Sequence, residues 1–353
     1  MGILAFRAEE FEDLHEVLIE VYGGSEVYFF DEVQNVERFE TFVRRLQDSG
    51  KKVVITGSNA HLLSREFGTR LTGRCRLFEV YPFSFAEYLR SRQISVKRDS
   101  VYIPEEKVGL ITAFATYREN GGMPEYLINQ DEGYIKTLYD NIIYRDIIAR
   151  YSIRRQRLVR ELVGILLSTI SLPFTYNSLK KSLGLSNAIT VKEYISHMSS
   201  AYLFFELARF DYSVKKQLIS PRKIYVIDTA FSILGGFSLS PDKGRLLENI
   251  VFIELKRRGC EVFYFSGTRE CDFIIKDGRS ITGAIQVCHE MNDKNVEREC
   301  GGLLEAMEEF HLDRGLILTN DQEDTRKAGD RTINIKPVWK WLLDDEIHGN
   351  STT

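Results

Sequence analysis

Two successive carboxylates, Asp31 and Glu32, follow the apolar run Val27-Tyr28-Phe29-Phe30. Such a run reads as a buried strand, so both acids stand at its carboxyl end. Paired carboxylates in that position can hold Mg²⁺ and polarise a water for attack on phosphorus. Lys51-Lys52-Val53-Val54-Ile55-Thr56-Gly57-Ser58-Asn59 reads as a second buried strand, ending in a polar tip that can contact a terminal phosphate. A complete site needs a third part, Gly-x-x-x-x-Gly-Lys-Ser/Thr. Its backbone N–H groups wrap the phosphates and its hydroxyl ligates Mg²⁺. That pattern occurs nowhere in the 353 residues. Gly50-Lys51-Lys52 lacks the hydroxyl and the upstream glycine, and it precedes a strand rather than a helix. The residues describe half of a nucleotide-hydrolysis site.

The elements that must position these groups follow from the spacing of apolar residues. Phe11, Leu14, Leu18, Val21 and Tyr22 recur at helical intervals, and Gly23-Gly24 ends that helix before the first strand. Phe39, Phe42, Val43 and Leu46 mark a second amphipathic helix, stopped by Ser49-Gly50. Strand, helix and strand with near-continuous apolar strands indicate a parallel sheet covered on both faces. Functional groups in such sheets gather at the carboxyl ends of strands, where Asp31, Glu32 and Asn59 fall. Residues 84–152 read as mostly helical, broken at Gly121-Gly122-Met123-Pro124. Helical patterns over Leu158–Leu167, Tyr176–Leu183 and Ala188–Phe204 precede two short strands, a sequence that fits a winged helix-turn-helix. From Lys243 the order is helix, three short strands, helix, strand, and a tail helix after Pro337.

Composition narrows the function classes. There are 47 basic and 51 acidic residues, so no whole-chain field draws the protein onto nucleic acid. The five cysteines form no Cys-x-x-Cys pair, which argues for a reducing compartment and against a disulfide framework or structural zinc. No basic and apolar leader opens the chain. The longest apolar stretch, Leu162 to Phe174, is interrupted by Ser168, Thr169 and Ser171, and falls short of the ~20 residues that span a bilayer. A cytoplasmic protein without a membrane partner is expected.

Several motifs resemble one family. Phe29-Phe30-Asp31-Glu32-Val33-Gln34-Asn35-Val36, Ile55-Thr56-Gly57-Ser58-Asn59 and Thr69-Arg70-Leu71-Thr72-Gly73-Arg74 resemble prokaryotic AAA-type ATPases, in which an ATPase core precedes a domain of unknown function. Pro82-Phe83-Ser84-Phe85, Gly121-Gly122-Met123-Pro124-Glu125-Tyr126-Leu127, Glu248-Asn249, Cys271-Asp272-Phe273 and Ile285-Gln286-Val287-Cys288 fit the same family in order. The resemblance implies ATP and Mg²⁺ as cofactors. Asp31 would hold Mg²⁺ through water, Glu32 would act as general base, and Asn59 would sense the γ-phosphate or cap the following helix. Arg70 and Arg74 would complete the site in cis or as arginine fingers, unless they are plain surface residues. The family's phosphate loop would sit upstream of Met1, so ATP turnover is expected to be lost or incomplete in this chain.

The resemblance divides the α/β chain into four parts. These are the distal half of an ATPase core with a parallel sheet (1–82), a helical lid (83–154), a winged helix (155–235) and a PD-(D/E)XK restriction-endonuclease-like α/β domain (236–353). That last fold places an acid on its first helix, an acid on a strand, and an acid or Gln followed two residues later by Lys, all around Mg²⁺. Glu248, Asp272 and Gln286 match as metal-site residues, but Cys288 stands at the lysine position. A thiol of ordinary pKa ~8.5 supplies no cation at neutral pH, and Lys276 and Lys294 lie elsewhere. A fold that binds without cutting is therefore the expectation, with a weak Mg²⁺-dependent nuclease as the alternative. Lys180, Lys181, Lys192, Arg209, Lys215, Lys216, Arg222 and Lys223 cluster in the winged-helix segment and offer phosphate contacts to DNA. The helix that would read bases is largely apolar, which leaves a protein-interaction role open beside DNA contact. Self-association and an upstream fragment from a split gene are the other partners implied.

Overall fold

The computed structural model describes residues 10–33, 36, 38–58, 75–235 and 242–344. These form two compact units. One runs to Glu79 and takes in Met198–Tyr202; the other comprises Val80–His197 and the chain from Leu203 onward. Among the described residues, no helix is long and apolar enough to cross a membrane.

In the first unit, α1 (Glu10–Tyr22), β1 (Val27–Phe30), α2 (Phe39–Asp48) and β2 (Lys52–Ile55) follow one another. The strands pair in parallel, Val27 opposite Lys52 and Phe30 opposite Ile55. Phe11 of α1 stacks on Phe42 of α2 and meets Phe30 edge-on. With Phe39, Val43 and Leu46 they form a core that also packs Tyr28, Val53 and Ile55. Both helices thus cover the same face of the strand pair. Val27, Phe29 and Val54, at the alternate positions, are 53%, 65% and 46% exposed, so the two-faced covering expected of this sheet is not found here. The face of α1 differs too. It packs through Phe11 and His15, whose Nε2 lies 2.9 Å from the Tyr28 hydroxyl, while Leu14, Val21 and Tyr22 are exposed.

The second unit begins with helices α3 (Phe85–Ser91), α4 (Pro104–Asn120), α5 (Pro124–Asn129) and α6 (Glu132–Asn141), the last running into a π-helical stretch over Ile142–Ala149. Ser84 caps α3 in a capping box with Glu87. The Pro82-Phe83 and Gly121-Gly122 motifs meet here. Phe83 N donates to Gly122 O at 2.8 Å, and Tyr117 Oη donates to Phe83 O at 2.7 Å. A Cβ on Gly122 would lie 2.4 Å from the Phe83 carbonyl oxygen, which explains the glycine.

Next come α7 (Gln156–Ser168), β3 (Pro173–Phe174), α8 (Tyr176–Ser182), α9 (Ala188–Ser200), β4 (Phe204–Ala208), α10 (Val214–Ile219) and β5 (Arg222–Val226). The three strands form an antiparallel sheet in the order β3-β5-β4. The helix expected through Phe204 stops at Ser200; Tyr202 turns with φ +56° and Phe204 already lies in β4. After α11 (Thr229–Gly235) the chain forms α12 (Lys243–Arg257), β6 (Glu261–Ser266), β7 (Glu270–Asp277), β8 (Ser280–Val287), α13 (Val296–Glu309), β9 (Arg314–Thr319), β10 (Asp324–Ala328), β11 (Arg331–Pro337) and α14 (Val338–Trp341). The six strands make one mixed sheet in the order β10-β11-β9-β8-β7-β6, with β8, β9 and β11 parallel. Its core holds Cys271, Ile274, Leu303, Met307, Ile317 and Ile335.

Candidate functional site

Because β1 and β2 are parallel, their carboxyl ends lie side by side and bring the tip residues together. Thr56 N donates to Phe30 O at 2.9 Å, carrying the pairing one residue past β2. The Thr56 hydroxyl donates to Asp31 Oδ1. Glu32 N donates to Thr56 Oγ1 at 3.3 Å, and Ser58 Oγ donates to Glu32 Oε2 at 3.2 Å. Glu32 takes a left-handed φ of +53°, which turns consecutive acids to different environments: Asp31 is exposed and Glu32 half-buried. Lys51 lies at the opposite end of the strand pair, where Nζ meets Glu26 at 2.9 Å, so the Gly50-Lys51 segment is remote from these carboxylates. Asn59, Arg70 and Arg74 lie outside the described residues.

A second convergence occurs in the other unit. Glu248 on α12, Asp272 on β7 and Gln286 on β8 come together, all buried. Gln286 Oε1 accepts from Asp272 N at 3.2 Å, and Asp272 Oδ2 accepts from Val287 N at 2.9 Å. Gln286 Nε2 donates to Glu299 Oε2 of α13 at 2.8 Å. Between the carboxylates sits a cation. Lys223 Nζ of β5 lies 2.8 Å from Asp272 Oδ1, 2.9 Å from Glu270 Oε1 and 3.0 Å from Glu248 Oε1. Tyr225, two residues along the same face of β5, donates its hydroxyl to Glu248 Oε1 at 2.7 Å and stacks on Phe252 with centroids 4.0 Å apart. Asn249 fixes α12 on the edge of β5: its amide accepts from Val226 N and donates to Val226 O, both at 2.9 Å.

The electrostatics are those of a crowded, dry centre. Burial first, then the neighbouring Asp272 charge, pushes Glu248 up to about 8 despite Lys223 and Tyr225. Burial opposes the Lys223 ammonium, but Asp272, Glu248, Tyr225 and Glu270 outweigh it and hold the pKa well above the ordinary lysine value. Among the described residues, no three His, Cys, Asp or Glu side chains are arranged to hold a metal ion. The cluster is organised around the ammonium.

Two sequence expectations change here. Lys223 is 1% exposed and committed to carboxylates, so it leaves the set of basic residues able to meet DNA. The same residue supplies the cation that Cys288 does not. Burial, then Glu299, pushes the Cys288 thiol up to about 11, and Sγ donates to Glu290 O at 3.0 Å. The missed signal was a lysine inside the apolar strand Lys223-Ile224-Tyr225-Val226, where a buried charge demands partners. Glu270 and Glu299 were also missed. Of the other basic residues, Arg209 donates to Ser266 O and Arg222 lies 3.7 Å from Glu206, while Lys181, Lys192, Lys215 and Lys216 are exposed.

The chain is a mixed α/β protein in which a parallel strand pair ends in acids and a second unit carries a three-stranded and a six-stranded sheet. Residues 3–89 match the AAA domain family, and residues 111–234 match a domain of unknown function, DUF8612. The chain is 35% identical to the uncharacterized protein MJ1544 of Methanocaldococcus jannaschii, over 97% of this chain and 80% of that protein. It is 27% identical to an uncharacterized protein of Haemophilus influenzae, over 97% of this chain and 86% of the other. The chain belongs to this family of AAA-domain proteins. No solved structure matches it.

Proposed function

We propose that this chain carries the Mg²⁺- and water-handling half of an AAA-type ATP-hydrolysis site, and that its second unit binds a partner without cutting it. The carrying observation is the cross-strand tie of Thr56 to Asp31 and of Ser58 to Glu32. These bonds aim both carboxylates from the end of the sheet, where a γ-phosphate and its Mg²⁺ would be met. Asp31 would hold Mg²⁺ through water, and Glu32 would orient the attacking water and take its proton. Asn59, next after Ser58, would contact the γ-phosphate, with Arg74 and Arg70 completing the charge. Residues 1–353 contain no phosphate cradle, so turnover requires one supplied from beyond them. The five cysteines are free thiols, as a reducing cytoplasm maintains.

The test is a chimaera with a Gly-x-x-x-x-Gly-Lys-Ser/Thr strand and helix placed ahead of residue 1. Mg²⁺-dependent ATP binding is expected, with phosphate release falling ~100-fold or more on Glu32→Gln. Restored binding with turnover indifferent to Glu32 would remove that residue from the mechanism.

In the second unit, α7 to α9 with the sheet β3-β5-β4 support a winged-helix reading, and Glu248, Asp272 and Gln286 support an endonuclease-like one. The Lys223 ammonium supports binding over cutting. It stands 2.8–3.0 Å from the oxygens that would ligate a dication, and Mg²⁺ needs those oxygens at ~2.0–2.1 Å. Both cations cannot occupy that space. DNA or a protein partner can dock while the centre stays closed; cleavage would need β5 to withdraw Lys223.

A further inference from the structure

Arg118, in the last turn of α4, is buried at 5% exposure, yet among the described residues it forms no ion pair. Its guanidinium Nη1 donates to Asn320 Oδ1 at 2.5 Å. Nε is buried with no partner. Burial holds the Arg118 pKa below the ordinary arginine value, and exposed Glu119, the next residue, opposes this. Burial, then Arg118 and then Lys243, hold the His289 imidazole below its ordinary pKa, with Glu290 and Asp321 opposing from exposed positions. His289 lies against the first turn of α12, since a Cβ on Gly244 would come 4.0 Å from His289 Cβ. Its carbonyl accepts from Asn320 N at 3.1 Å. His289 and Asn320 therefore lie just past the carboxyl ends of the parallel neighbours β8 and β9, the place where open α/β sheets receive ligands.

A buried guanidinium with no carboxylate bonded to it is costly. Arg257 and Arg258 of the same unit, by contrast, both meet Glu254. Arg118 has its fork of donors and no acid to fill it. The counter-charge that fits a planar fork is an oxyanion with two oxygens in reach. We infer that Arg118, His289 and Lys243 form a phosphate-binding site that shares no residue with the Asp31–Glu32 end or the Lys223 centre. Arg118 is the buried anchor, and half-buried His289 and exposed Lys243 are the further contributors.

Calorimetric titration of the full chain with inorganic phosphate, at fixed ionic strength and against chloride, reads this site. One phosphate per chain is expected. Affinity should fall at least tenfold in Arg118→Met and about threefold in Lys243→Gln. The lysine is exposed, so its variant keeps the test decisive if Arg118→Met does not fold. A short DNA duplex identifies the source of the phosphate: competition assigns a phosphodiester, and its absence assigns free phosphate. No phosphate binding by the parent, or unchanged affinity in Lys243→Gln, overturns the site.

Discussion

Replacing Lys223 with Met removes one ammonium and keeps the length of the side chain, and its consequence can be worked out from the centre. Three carboxylates, Glu248, Glu270 and Asp272, then face one another without a cation. Breaking a buried ion pair from one side costs about 3–5 kcal/mol, mostly because the remaining charge stays buried and unpaired. Here the cost depends on pH through Glu248, whose carboxyl is raised from 4.5 to about 8. A carboxyl raised on folding stabilises fully below its unfolded pKa, and that stability is lost as pH rises through the folded pKa, at up to about 1.4 kcal/mol per unit. In the parent this window runs from about 4.5 to about 8. In the variant the attraction of Lys223 is gone, so Glu248 titrates higher still and the decline continues above pH 8. At pH 9 the penalty should therefore reach about 3–5 kcal/mol, and at pH 6, with Glu248 protonated in both proteins, about half that. Urea unfolding followed by the fluorescence of Trp339 and Trp341 reports on this unit, because both are buried and they are the chain's two tryptophans. A penalty below about 1 kcal/mol at pH 9, or one equal at the two pH values, would refute the account of Lys223 as the counter-ion of this centre.

Three further outcomes are expected. The 353-residue chain should release no phosphate from ATP above its Glu32→Gln control, because no cradle in it positions the γ-phosphate; release present in the parent and lost in the variant would show otherwise. The parent should not nick plasmid DNA with Mg²⁺ or Mn²⁺, and neither should Cys288→Lys, because the Lys223 ammonium still stands among the Glu248, Glu270 and Asp272 oxygens; nicking by the parent that disappears in Asp272→Ala would promote the nuclease reading. Gly122→Ala should lower the urea stability of the second unit by about 1–3 kcal/mol, since its Cβ meets the Phe83 carbonyl rather than a side chain that could swing away; a change within about 0.5 kcal/mol would mean the backbone there adjusts freely.

Local pattern made part of this architecture legible. Asp31 and Glu32 could be placed at a strand end because an apolar run of four residues leaves little alternative, and parallel pairing then follows from the helix between the strands. Periodicity also located α7, α8 and most of α9. It could not decide which face of α1 is used. Leu14, Val21 and Tyr22 satisfy helical spacing as well as His15 does, but the covering partner, Phe42, selects the His15 side. It also could not separate the end of α9 from β4. Leu203, Phe204 and Leu207 suit a buried strand and a buried helix alike, and the left-handed turn at Tyr202 settles the matter through tertiary packing.

The carboxylate centre shows a deeper limit of reading motifs by spacing. A search that asks for a lysine two residues after Gln286 tests one strand only, and there it finds a neutral thiol. The resembled site requires an ammonium within reach of its acids, and a folded chain can bring one near Asp272 from any element that passes nearby. β5 meets it because Asn249 clamps its backbone to α12, which sets Lys223 and Tyr225 against Glu248. Residue identity at 288 is thereby relieved of the charge and free to serve packing, as the buried thiol does. On the proposed reading, an ammonium beside a metal site would assist a reaction, whereas one bonded to Glu248, Glu270 and Asp272 would stand in the metal's place.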